Sequence, residues 1–451
     1  MKQKREKMRQ MNGLIRAVKI LAFGGVLAVM CLIGLMWFAR PDVSVVEKRT
    51  LTKFPALTWG SFWDGSFFSQ VDTWYADTYP IREGLISANQ SLQGHYGIRA
   101  DQIVGNAAMV ADDIPDPDAM PSPTLAPASP SPSVSPTPTP EPEEQLEDGT
   151  ITQAGDFQGN IYITQNNGYG LYYFSQSSAD AFVDAMNQFY ANVGDKVNLY
   201  LMVVPTNSGV MLDPALLESM GCSNESKAIE YVYGRMNDGI HKVFVYDNLK
   251  KHNAEYIYFH TDHHWTARGA YYAYQVFCQE KGIEPHDLDD YDTMEFDGFL
   301  GTFYSSSNQS PELAANPDTV TAYIPKGTND MEMTMSDGAT YAWRIVNDVT
   351  DYPNSELYAT FSGGDNPFSV AHNETIHDGS AVVVIKDSYG NAFIPWLVDH
   401  YEYIYWLDVR YTYNTISQMV EDYGVQDVII ELHIYNGTSD AVTDRLAYIG
   451  Q

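Results

Sequence analysis

Ala381-Val-Val-Val-Ile-Lys-Asp-Ser-Tyr-Gly-Asn391 is the stretch on which the fold of this chain turns. Five consecutive apolar residues, Ala381–Ile385, lack the alternation of a strand with one wet face, so they read as a strand covered on both sides. The apolar run stops at Lys386, Ser388 sits on a sharp turn, and Gly390 permits close backbone approach there. From Asn391 to Tyr401 the apolar residues return at helical spacing. Strand, tight turn and helix in succession make one β–α unit.

The same alternation extends outward. Downstream, Tyr403–Leu407 reads as a strand, Thr415–Tyr423 as a helix and Asp427–Leu432 as a strand. Upstream, strands are expected at Asn160–Thr164, Val197–Val204, Lys242–Tyr246 and Tyr256–Phe259. Helices are expected at Ser177–Val193, Glu225–Met236 and Thr266–Lys281. Residues 287–375 break the pattern and read as long loops with some β-structure; no internal repeat is present. Such alternation argues for an α/β domain over 150–451, with a mainly parallel sheet between helices on both faces.

The N-terminal third is different. Residues 1–19 form a basic tail, and Ile20–Phe38 is uncharged and apolar. Nineteen helical residues span roughly 30 Å, the thickness of a bilayer core. Lys and Arg precede the span, which predicts a single-pass anchor with a cytoplasmic N-terminus. No small-residue cleavage site follows it, so an uncleaved anchor is expected rather than a signal peptide. Residues 41–112 make a juxtamembrane region whose aromatic-rich part, Trp59–Asp77, reads as short helices. Residues 113–148 are dominated by Pro, Ser and Thr, have little to bury, and read as a disordered spacer. Cys31 lies in the apolar span; Cys222 and Cys278 imply no disulfide framework and read as free thiols.

The first twenty residues carry a net +6, so the remainder carries −38 of the overall −32. A domain this acidic is a poor partner for nucleic acid, whose binding depends on Lys and Arg displacing counterions from phosphate. Nothing in the sequence calls for a nucleotide or redox cofactor.

In open α/β sheets ligands bind beyond the carboxyl ends of the strands, and three segments put reactive groups there. The first is His260-Thr-Asp-His-His-Trp265. Asp262 and His264, two apart, share a face if extended, which lets the carboxylate hold one imidazole nitrogen and leave the other as a base. The second is the turn after Ala381–Ile385, where Ser388 is placed as a nucleophile. The backbone N–H groups of Ser388 and Tyr389, with the Asn391 side chain, are candidate oxyanion donors. The third is Leu407-Asp-Val-Arg410, where Arg410 is placed to bind an acyl or sugar oxygen; Trp265 joins the candidate substrate-binding residues. Two other readings stay open. One is a metal site from His260, His264 and Asp262 or His263, which lacks an evident third ligand, so no metal is assigned. The other is a non-catalytic glycan-binding or scaffolding module.

The segments Thr261–Tyr274 (TDHHWTARGAYYAY) and Val382–Phe393 (VVVIKDSYGNAF) resemble the bacterial DHHW protein family, which is similar to the SGNH-hydrolase-like domains of the alginate O-acetyltransferase group. Matching pieces also occur at Glu47–Pro55, Asp77–Arg82, Asn167–Phe174, Val203–Thr206 and Phe299–Tyr304. The resemblance implies a circularly permuted three-layer α/β/α fold, with Asp262 and His264 as triad aspartate and histidine and Ser388 as nucleophile. It implies O-acetyl transfer or ester hydrolysis on a cell-surface polysaccharide outside the cytoplasm. A multi-spanning membrane acyltransferase is then the expected source of acetyl groups. One position departs: Lys386 stands where SGNH enzymes carry the glycine of Gly-Asp-Ser.

Overall fold

The computed structural model describes residues 111–115, 146–158, 161–307, 309–437 and 439–451, with isolated positions between 43 and 78. The expected tail, the anchor at 20–38 and most of the Pro-rich spacer lie outside the described residues. Among the described residues, no helix is long and apolar enough to cross a membrane. The chain divides into two compact units, Met1–Ala100 and Asp101–Gln451. In the first, Val43–Ser44 pairs antiparallel with Arg49–Thr50, and positions 59, 67, 71, 74 and 75 are helical.

The second unit opens with a small antiparallel sheet, β1 (Asp156–Gln158), β2 (Ile161–Thr164) and β3 (Asn167–Tyr169). Gln165 and Asn166 both have positive φ, as a two-residue hairpin requires. The strand expected at 160–164 therefore exists but stands outside the main sheet. Next come α1 (Gln176–Val193), β4 (Asn198–Val204), α2 (Glu225–Tyr233), β5 (Ile240–Val243) and α3 (Ala267–Lys281). Thr266 caps α3 by accepting from the Gly269 N–H. The irregular stretch supplies a hairpin of β6 (Asp292–Phe299) and β7 (Asp318–Ile324). It also supplies β8 (Asp330–Thr334), β9 (Thr340–Arg344) and β10 (Phe368–His372). The chain ends with β11 (Ala381–Lys386), α4 (Gly390–Leu397), β12 (Tyr403–Asp408), α5 (Ile416–Tyr423), β13 (Asp427–His433) and α6 (Asp440–Ile449).

The main sheet has eight strands in the order β9-β8-β10-β12-β11-β13-β4-β5. From β12 to β5 neighbours are parallel; β10, β8 and β9 extend it antiparallel. The sheet is thus mixed, its parallel half made by the apolar runs and its antiparallel edge by the stretch that reads as long loops with some β-structure. Alternate residues of β11 enter two cores. Val382 and Val384 pack with α3 and α4, and Val383 and Ile385 with α1, α2, α5 and α6, giving three layers.

The strand expected at Tyr256–Phe259 does not form. Its backbone closes on the loop that follows, with Phe259 N–H donating to the His264 carbonyl and Thr266 N–H to that of Ile257. Only a Tyr258–Trp265 bridge results, so the segment folds into a buttressed loop beside the sheet. Residues at both ends of the expected spacer dock on this unit. Phe174 accepts from the Asp112 N–H, and Asn253 Oδ1 from the Gly149 N–H. Cys222 and Cys278 are free thiols, the first only half-buried.

Candidate active site

The turn after β11 and the loop before α3 meet at the carboxyl ends of the parallel strands. His264 Nε2 lies 2.8 Å from Ser388 Oγ, and His264 Nδ1 lies 2.6 Å from Asp262 Oδ1. Asp262 also accepts from the His264 N–H at 3.0 Å, so residues 262–264 form a tight turn rather than an extended segment. The other carboxylate oxygen, Oδ2, accepts from the Thr302 N–H (2.8 Å) and hydroxyl (2.9 Å). Burial alone would raise the Asp262 pKa, but the imidazoles of His264 and His263 and these hydrogen bonds outweigh it and hold the carboxyl far below its usual range. Asp262 is therefore ionised, and only one acceptor nitrogen of His264 remains to face the serine.

Asp262, His263 and His264 also bring donor atoms within 4.8 Å of one another, a spacing a metal ion could use. Those atoms are otherwise engaged: His264 spans Asp262 and Ser388, and His263 Nδ1 is 2.6 Å from Thr302 Oγ1. His260 stands outside the group, 3.3 Å from Asp318.

The model of the DHHW protein family matches residues 47–122 and 140–407. The chain belongs to the DHHW family. Among solved structures it is similar to a DHHW family protein from Eubacterium siraeum, with 28% identity and a TM-score of 0.58 over 66% of this chain and 97% of that one. Bacillus cereus PatB1, solved with a sulfonyl adduct, is 17% identical with a TM-score of 0.53 over 62% and 97% of the two chains, a likeness of fold. The O-acetyltransferase domain of Pseudomonas putida AlgJ matches only loosely, at 11% identity and a TM-score of 0.30 over 65% and 98% of the two chains. No curated protein matches significantly.

The four DHHW residues divide the work of one loop. Asp262 and His264 form the chain to Ser388. Trp265 is fully buried and its Nε1 donates to the Tyr389 carbonyl at 2.9 Å, so it ties the loop to the Ser388 turn and cannot meet a substrate. Tyr389 ties back through its hydroxyl to the His263 carbonyl.

Three further expectations are corrected. The Tyr389 N–H donates to Asp387 Oδ1 at 2.9 Å and is not an oxyanion donor. The other Asp387 oxygen accepts from the His433 N–H and the Asn436 amide, fixing the turn to β13. Asn391 is buried and its amide nitrogen donates to Asp365 Oδ1 (2.9 Å) rather than being held in reserve for an oxyanion. Arg410 grips Asp408 through Nε and one terminal nitrogen (2.9 and 2.7 Å) and reaches Asp365 at 2.7 Å, so its charge is structural.

Lys386, the departure from Gly-Asp-Ser, belongs to that same network. It is completely buried, 3.3 Å from Asp365 and 3.6 Å from Asp408. Strand register puts Asp408, Lys386 and Glu431 side by side. Glu431 is buried without a hydrogen-bond partner among the described residues; burial, then the Asp387 carboxylate, push its pKa well up and favour the neutral acid. Gly390 is required above it, because a Cβ there would lie 2.6 Å from Glu431 Oε2 and 2.5 Å from Lys386 Cβ.

The sequence reading missed the residues that hold the DHHW loop from below. Asp318, the buried first residue of β7, accepts from the N–H groups of His260 and Thr261 (both 2.7 Å), the Thr261 hydroxyl (2.5 Å) and the Tyr256 hydroxyl. Gly301 lets the chain reach Asp262, since a Cβ there would be 2.3 Å from Oδ2. The Phe299–Tyr304 piece of the family pattern was the available signal for Gly301 and Thr302; Asp318 left none.

Proposed function

We propose that this DHHW protein is a serine-dependent O-acyltransferase or acetylesterase acting on a cell-surface polysaccharide, with Ser388 as nucleophile, His264 as base and Asp262 as its orienting partner. The observation that carries the proposal is the unbroken hydrogen-bond chain from Asp262 through His264 to Ser388. Histidine preceding serine in the chain agrees with the permuted SGNH arrangement implied by the family resemblance. Ser388 Oγ attacks the acetyl carbonyl carbon as its proton passes to His264 Nε2. The tetrahedral intermediate then collapses, the leaving oxygen takes that proton, and an acetyl-serine remains. A sugar hydroxyl, or water, gives its proton to His264 and attacks the acetyl-serine, and the proton returns to Ser388. The Ser388 N–H, which no described residue engages, is the backbone donor that fits the oxyanion.

The apolar span at 20–38 supports a single-pass anchor with the catalytic domain outside the cytoplasm. A multi-spanning membrane acyltransferase would then supply acetyl groups. A second reading, a glycan-binding module without turnover, is favoured by the diversion of the Tyr389 N–H to Asp387. Acetate release from a chromogenic acetyl ester, with and without an oligosaccharide acceptor, separates them. The native protein is expected to turn over, with Ser388→Ala and His264→Ala each losing at least about a hundredfold. Equal negligible rates in all three, with no serine labelling by a fluorophosphonate, would favour the binding module.

A further inference from the structure

We infer that Tyr358 is a positioning residue for the base and the nucleophile together, an inference that rests on the Ser388–His264–Asp262 reading. Tyr358 lies on a single 3₁₀ turn, Leu357–Thr360, within the irregular stretch. Its ring lies flat on the His264 imidazole, with centroids 3.9 Å apart and planes 10° from parallel. Its hydroxyl donates to the Ser388 carbonyl oxygen at 2.9 Å. Phe259 and Phe361 pack edge-on against the same ring, at 6.1 and 5.3 Å, and hold it upright.

The geometry explains why such a residue is needed. Hydrogen bonds to Asp262 and Ser388 fix two points of the imidazole but leave it free to tilt about the line joining them. A flat ring at stacking distance on one face, opposed by His263 at 3.8 Å, removes that freedom. The phenol simultaneously pins the backbone from which Ser388 Oγ departs, so base and nucleophile keep their separation through one side chain. When His264 takes the serine proton, the imidazolium faces an electron-rich ring, a cation–π contact that favours the charged form. The other groups facing His264 are Asp262 and His263 on its own loop, Tyr389 at 5.1 Å on the nucleophile turn, and buried His433 behind Tyr389. Of these, Asp262 is ionised, and burial favours the neutral forms of Tyr389 and His433.

The test follows the rate at which phenylmethanesulfonyl fluoride labels Ser388, as a function of pH, in the native protein, Tyr358→Phe and Tyr358→Leu. Labelling forms a serine O–S bond and breaks S–F; fluoride leaves and the serine proton passes to His264. Tyr358→Leu is expected to label about tenfold more slowly on the plateau, because the ring is no longer held in line. Its acid limb moves to lower pH by about half a unit, because loss of the π face disfavours imidazolium. Tyr358→Phe keeps the stack, so its limb stays in place while its plateau falls with the lost Ser388 bond. A purely structural role would not move the limb. Native limb and plateau in Tyr358→Leu, within about twofold, overturn the inference. If Tyr358→Leu does not fold, an unchanged plateau in Tyr358→Phe overturns it. If the native protein itself is not labelled, the triad reading fails before any substitution is tested, and this inference falls with it.

Discussion

Replacing Lys386 by methionine is the sharpest test of how the Ser388 turn is held. Lys386, Arg410, Asp365 and Asp408 form two cations and two anions in contact, a neutral group in which Lys386 and Asp408 are completely excluded from water. Methionine keeps the stem's volume and removes the charge, leaving the group at −1. Removing one partner of a buried pair costs roughly 3–5 kcal/mol. Arg410 still reaches both carboxylates, and Asp365 is 30% exposed, so the expected loss for Lys386→Met is at the low end, about 3 kcal/mol. Asp365→Asn leaves the opposite imbalance and should cost about 2 kcal/mol. The double variant restores neutrality through Arg410 and Asp408. It should therefore lose about 2 kcal/mol less than the sum of the single variants. Urea denaturation followed by tryptophan fluorescence gives all four stabilities. Losses additive to within about 0.5 kcal/mol would refute the reasoning, because they would mean that Lys386 and Asp365 do not share a charge balance.

Three other outcomes are expected. Asp262→Asn should lower ester turnover about a thousandfold or more by favouring the wrong imidazole tautomer, whereas Thr302→Val, which removes only one of the donors to Oδ2, should cost less than about tenfold; equal losses would mean the carboxylate's charge is not what matters. Gly390→Ala should lower stability by about 2 kcal/mol through overpacking on Lys386 and Glu431, although alanine is the better helix former; a higher melting temperature would show the turn can relax. Burial, then His286, depress the His400 pKa to about 4, so stability is full above the unfolded value of about 6.5 and is lost as pH falls toward the folded one. Discounted for partial exposure, the loss at about pH 5.5 is about 1 kcal/mol, and buried His433 adds in the same direction; a His400→Gln variant whose melting temperature falls as steeply with acid as the native protein's would exclude His400 as the cause.

The parallel half of the sheet was legible because a doubly covered strand leaves a continuous apolar run: Asn198–Val204, Ala381–Lys386, Tyr403–Asp408 and Asp427–His433 all lie within a residue or so of where the sequence puts them. Ser388 lies at a strand end, where that architecture puts it, whereas Asp262 and His264 come from a loop whose expected strand does not form. Short-range turns were readable in principle and were overlooked. Asp387 takes the Tyr389 N–H and Asp408 the Arg410 N–H, each two residues on, as Asx turns do. Helix α6 was not anticipated, although it packs in the same core as α1. The antiparallel edge was illegible for a different reason. β9 is exposed along its whole length, so it carries no apolar period, and β10 finds β12 only across the intervening β11 unit.

That illegible stretch is what holds the Ser388 turn and the DHHW loop together as one site. Ser388 and His264 arrive from different elements, and neither carries the means to hold the other. Between 287 and 375 the chain delivers Thr302 to Asp262, Asp318 to the backbone of His260 and Thr261, Tyr358 to His264 and Ser388, and Asp365 to Lys386, Asn391 and Arg410. Asp365 gets there on a loop whose preceding residues Ser362, Gly363 and Gly364 all have positive φ, a path that two glycines make accessible and that Ser362 adopts at a cost. Strain accepted in that position is coherent only if the loop's terminus does something, and what it does is close the charge balance around the buried lysine that ends β11, just before the Ser388 turn. The same logic explains why a lysine is tolerated where a glycine is expected: the partners that neutralise Lys386 come from strand ends and a loop far along the chain, and none of them can be read from the residues beside it.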